Sequence, residues 1–139
     1  MAHNFKDLKI WQEAMKVVKS TYLLSAQLPS DERFGLISQI NRCAVSIPSN
    51  IAEGSGRTTD KDFLNFINFS LSSSFELETQ LILANDLFNL DVEELIIKIN
   101  ELQRMIVGFK KSISIKLDQN NNLQDIKNSK ASLNLASRI

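Results

Sequence analysis

"SIPSNIAEGSGR", Ser46 to Arg57, sets a proline and two glycines among residues with helical spacing. The segment breaks a helix, bends one, or forms a loop that grips a ligand. Ile37, Ile40, Ala44, Ile47 and Ile51 recur at alternating steps of three and four, which is one face of a helix. The phase passes Pro48 without a slip, and a broken helix has no reason to keep register. The stretch therefore reads as one helix kinked at Pro48, where the ring removes a hydrogen bond and crowds the carbonyl of Ala44. The alternative makes Ser46 the N-cap of a separate short helix. Gly54 then reads as a left-handed C-cap, with Gly56 loosening the turn. Thr59 reads as the next N-cap, with Asp62 three residues on.

Working outward, three further helical patterns flank this one. The first begins near Phe5 to Asp7 and ends near Leu28 and Pro29. It carries two adjacent apolar stripes: Leu8, Trp11, Met15, Val18 and Tyr22, and beside them Ile10, Ala14, Val17, Leu24 and Leu28. Ser30 or Asp31 suits the N-cap of the proline-bearing helix. The third pattern runs roughly from Asp60 to Asn89 and has small residues in its middle, "SLSSSFE". The fourth starts after Asp91, with Glu93 and Glu94 in its first turn. Its stripe is Leu95, Ile99, Leu102, Ile106, Phe109 and Ile113. No segment alternates as a strand does. Short turns between four helices imply an all-α, antiparallel up-down-up-down four-helix bundle over residues 1–117. Residues 118–139 are polar without a sustained period and read as a mostly disordered tail, with a nascent helix in "ASLNLASRI".

Composition bounds the function. Sixteen basic residues balance sixteen acidic ones, which argues against a chain that is basic throughout and leaves room for a local basic patch. One cysteine, Cys43, makes neither an intrachain disulfide nor a zinc site, and a reducing cytoplasm is the expected compartment. No window approaches the roughly 20 apolar residues of a membrane span, and "MAHNFKDLKIWQEA" lacks a secretory pattern.

Catalytic signals are missing. "GSGR" lacks the longer glycine-spaced run and the Lys-Ser/Thr of a phosphate loop, so it reads as a cap and turn. His3 is the single histidine, and no triad, di-iron set or other metal cluster can be built around it. Cys43 reads as a small core hydrophobe. No enzyme, cofactor or metal is expected. Glu78 shares a stripe with Leu71, Phe75 and Ile82, so it is expected to be buried and to pair with Arg42 or with groups near Asn50.

"FKDLKIWQEAM", "SIPSNIAEGSGR" and "DFLNFINFSLSSSFELETQLILA" together resemble the bacterial four-helix bundle protein family whose first members were encoded in intervening sequences of the 23S ribosomal RNA gene. The resemblance covers about Phe5 to Leu117. It implies a bundle that assembles into a ring-like homopentamer. The family is similar to the accessory protein of diversity-generating retroelements, which implies binding of a reverse transcriptase and nucleic acid through a basic surface.

Two functions compete. The first is a non-enzymatic, self-associating bundle that binds RNA or a nucleic-acid-processing protein through Lys6, Lys9, Lys16, Lys19, Arg57 and Lys61. The second is a protein-binding adaptor with no nucleic-acid contact. Because the first and third helices are apolar over wide arcs, Ile10, Trp11, Val17, Phe66 and Phe69 are expected at an oligomer interface.

Overall fold

The computed structural model describes residues 4–137, an all-helical bundle with no strand among them. The four helices are α1 (Lys9–Ser25), α2 (Leu36–Ser55), α3 (Asp60–Phe88) and α4 (Glu93–Ala136), with short 3-10 turns at Phe5–Asp7 and Ser30–Glu32. His3 lies outside the described residues.

Of the two stripes on α1, one becomes core: Ile10, Ala14 and Val17 are buried, as is Leu28 beyond the helix. Leu8, Trp11 and Val18 pack at the edge of that core, and Tyr22 is exposed. Small polar residues let the core face come close to its neighbours. Thr21 is fully buried, and its hydroxyl donates to the Val17 carbonyl at 2.6 Å. Ser25 donates to Asn41 Oδ1 at 2.7 Å, tying α1 to α2.

The start of α2 is capped differently from expectation. Neither Ser30 nor Asp31 is its N-cap. Gly35 is, and the Glu32 carboxylate accepts from the Leu36 N–H at 3.1 Å. A Cβ at Gly35 would sit 2.8 Å from Glu32 Oε2, so a side chain there would displace this cap.

Helix α2 is uninterrupted from Leu36 to Ser55 with Pro48 inside it, so Ser46 does not start a separate helix. Its buried line is Ile40, Ala44, Ile47, Pro48 and Ile51. The Ser46 hydroxyl instead shares a hydrogen bond with Ser73 at 2.8 Å, and Ser70 donates to the Ile47 carbonyl at 2.9 Å. The serines of "SLSSSFE" thus bring the two backbones together.

Gly54 is not a left-handed cap. It lies within α2, no glycine has positive φ, and the C-cap is Gly56 at φ −86°. The physical reason for Gly54 is proximity. A Cβ there would lie 2.6 Å from the Cβ of Phe66 and 2.9 Å from Cδ1 of Phe63. Helix α3 crosses where Gly54 leaves room.

Thr59 caps α3, its hydroxyl accepting from the Asp62 N–H at 3.1 Å. The helix ends at Asn89, the one described non-glycine residue in the left-handed region (φ 53°). Asn85 secures that turn by donating to the Leu90 carbonyl at 2.8 Å. On α4, Leu95, Ile99, Leu102, Ile106 and Ile113 are buried, and Phe109 meets the Phe63 ring edge-on at 5.5 Å.

The polar segment from residue 118, expected to be disordered, continues α4 as helix to Ala136. Asn, Asp and Ser by themselves favour caps and turns, so what carries the helix through this segment is that an existing helix is cheap to extend. No helix of the described residues is long and apolar enough to cross a membrane.

Candidate nucleic-acid interface

The cations come first. Lys9, Lys16 and Lys19 lie on the side of α1 turned away from Ile10, Ala14 and Val17, and all three are exposed. At about 100° per residue, Lys9 and Lys16 share one line and Lys19 stands a little round from it. Lys16 is partly engaged by Glu13 at 3.0 Å. Lys6 precedes the helix, its ammonium 6.0 Å from the Phe5 ring centre, and the Gln12 amide donates to its carbonyl at 2.9 Å.

Arg57 stands in the turn after α2. It donates to Glu53 at 2.9 Å and lies 4.6 Å from the centre of the Phe66 ring. Lys61 is exposed in the first turn of α3. It follows Asp60, which pairs at 3.5 Å with Lys116 of α4. Lys116 reaches this junction from a helix remote in sequence, through that ion pair. Arg57 and Lys61 belong to the α2–α3 junction, whereas the α1 lysines form their own row.

The expected polar core does not assemble. Arg42 is exposed. Glu78 is half-buried and accepts from Asn100 Nδ2 at 2.8 and 3.2 Å, with Gln103 Nε2 at 3.5 Å. Both donors come from α4, which flanks Glu78 where α2 was expected. Asn50 turns to its own helix, donating to the carbonyl and hydroxyl of Ser46 at 2.8 and 2.9 Å. A polar i, i+3 pair on α4, Asn100 and Gln103, was the signal available in the sequence.

The expected interface residues divide. Ile10 and Val17 are core, Trp11 and Phe66 are half-buried, and Phe69 is exposed. Phe66 and Phe69 stack edge-on at 5.8 Å.

Among the described residues, no group of three or more His, Cys, Asp and Glu is placed to hold a metal ion. Cys43 is buried and donates to Glu76 at 3.4 Å. Burial pushes its thiol above the ordinary value of 9.0, and the Glu76 carboxylate adds to the shift. A thiol held protonated is a poor nucleophile. The shift also has a stability consequence. Below the unfolded pKa both states keep the proton and pH has no effect. Above it the unfolded chain releases the proton while the folded chain keeps it, so stability falls as pH rises until the folded thiol also titrates. Urea midpoints at about pH 7.5 and 10 should therefore drop further for the natural chain than for Cys43→Ser. Equal drops would show that Cys43 titrates alike in both states.

A comparison with curated proteins finds no match. The family model described as 23S rRNA-intervening sequence protein matches residues 6–108, from the turn before α1 into the buried half of α4. That match spans well over half of the chain, which therefore belongs to the 23S rRNA-intervening sequence protein family.

Proposed function

We propose that this chain is a non-enzymatic, self-associating bundle that binds RNA through the outer side of α1, with Arg57 and Lys61 as accessory contacts. The observation that carries the reading is the row of exposed lysines at 9, 16 and 19, opposite the buried stripe of the same helix. Lysines so placed neutralise phosphates without reading base edges. Phe5 beside Lys6 and Phe66 beside Arg57 add ring faces on which an unpaired base can stack. Net neutrality makes the attraction local, so association into an oligomer is what would raise a modest affinity.

The topology we infer is antiparallel, up-down-up-down, with α2 bent at Pro48. The order of contacts supports it: Gly54 meets Phe63 and Phe66, Ile47 meets Ser70, and Cys43 meets Glu76. Ascending α2 means descending α3. This arrangement would put Lys6 and Lys9 at the same end of the bundle as the α2–α3 junction and Lys116.

Labelled single-stranded and duplex RNA, titrated at low and raised salt, tests the proposal. Binding should weaken with salt as released counterions demand, and changing Lys9, Lys16 and Lys19 to Glu should abolish it. No binding at low salt, or binding indifferent to those changes, removes RNA and promotes the protein adaptor.

A further inference from the structure

Between α3 and α4 the surface holds a groove of about 520 Å³, within the usual range of small-ligand sites. None of the α1 lysines lines it, nor does Arg57 or Lys61.

Its chemistry is ordered along α4. At one end Asn100 and Gln103 lie beside Glu78. A carboxylate only accepts, so Asn100 must turn its Nδ2 to Glu78, at 2.8 and 3.2 Å. The same Nδ2 donates to Gln103 Oε1 at 3.0 Å. Both amides are thereby held in one orientation. Asn100 Oδ1 is left without a partner among the described residues, and Gln103 Nε2 has only a long 3.5 Å contact with Glu78. One acceptor and one donor are therefore available at this end. Phe75 of α3 lines the groove and is 52% exposed, an aromatic ring open to a ligand. Further along, a Cβ at Gly108 would meet nothing within 4 Å, so no side chain fills the middle. Arg104 and Lys111, two turns apart on one side of α4, supply positive charge. Both are exposed, and neither enters an ion pair among the described residues.

We propose that this groove binds a nucleoside phosphate, free or as an unpaired nucleotide of a strand. Inorganic phosphate would use the cations alone, and an apolar ligand the ring alone. A nucleotide uses ring, amides and cations together. Its base stacks on Phe75 and sets an edge of donors and acceptors against Asn100 and Gln103. Its sugar crosses the gap at Gly108, and its phosphate meets Arg104 and Lys111. Glu78 fixes the direction, because a carboxylate under the amides repels phosphate from that end.

The inference goes beyond the RNA reading, since it names a different face of the bundle and stands whether or not the α1 lysines bind RNA. Titration of the full chain with adenosine monophosphate, ribose 5-phosphate and oligoadenylate tests it. The monophosphate should bind at least about ten-fold more tightly than ribose 5-phosphate, which lacks the base. Phe75→Ala should weaken it about ten-fold, as should Arg104→Glu with Lys111→Glu. Gly108→Leu leaves ring, amides and charges in place but closes the middle, and should abolish binding. Leucine is the better helix former, so circular dichroism should show intact helices. A monophosphate that binds no better than ribose 5-phosphate, or that survives Phe75→Ala and Gly108→Leu, overturns the site. Oligoadenylate binding lost with Phe75→Ala, without binding of the monophosphate, supports the site and assigns it to a strand. Oligoadenylate binding that needs Lys9, Lys16 and Lys19 but not Phe75 overturns the groove and keeps the RNA reading. Binding of neither probe overturns both.

Discussion

Val17→Asp should unfold the chain at room temperature, while Leu23→Asp should leave its melting curve almost unchanged. Both residues are apolar, both lie on α1, and they are six positions apart. Val17 is 4% exposed within the bundle, Leu23 76%. Removing the valine forfeits about 1.5–3 kcal/mol of apolar burial. The aspartate adds an unpaired carboxylate in the core, costing several kcal/mol more or forcing protonation. Together these approach the whole stability of a small domain, about 5–15 kcal/mol. Had Val17 belonged to a subunit interface, the same change would yield a folded monomer. Circular dichroism with light scattering separates the outcomes, and a folded, monomeric Val17→Asp chain would return Val17 to the interface.

Gly54→Ala should destabilise by about 2 kcal/mol, against the usual sign for such a change in a helix. In an open helix interior alanine gains up to about 1 kcal/mol over glycine. Here the added methyl meets the Cβ of Phe66 at 2.6 Å, an atom fixed to the backbone of α3. Relief requires the two helices to separate, disturbing Ser70 on the Ile47 carbonyl and Ser46 on Ser73. Gly56→Ala is the control, since its Cβ would meet only the Glu53 carbonyl at an ordinary 3.6 Å. Urea denaturation of both decides it. If Gly54→Ala is as stable as the natural chain, the close crossing is not what requires glycine.

Helix identity was legible because spacing alone carries it. Leu95, Ile99, Leu102, Ile106 and Ile113 repeat at three, four and seven, and all are buried. The choice between the stripes of α1 was not legible. Each has the right period, and Ile10, Ala14 and Val17 prevail through packing against residues far along the chain. Gly54 was misread for a related reason. A glycine can serve its own backbone or a neighbour's side chain, and only the position of Phe66 distinguishes the two. The helicity of the arm beyond Ile113 was not legible because its polar residues carry no sustained apolar period, and it is helix only as the continuation of turns that the core already holds. Within the candidate site, exposure of the α1 lysines followed directly from their position opposite the apolar residues. Lys116 and the partners of Glu78 did not, since Asp60 and Asn100 approach through tertiary structure.

Starting a helix is its costly step, since several residues must be ordered before the first hydrogen bond repays them, whereas each later residue extends a turn already made. The segment beyond Ile113 never has to take that step. Turns anchored by Leu95, Ile99, Leu102 and Ile106 are held by the core and act as its seed. Detached, so polar a peptide would be mostly coil; attached, it grows by addition. Its melting then recedes toward Ile113 from the side away from the core, and the helical reach of the arm is governed from the bundle side.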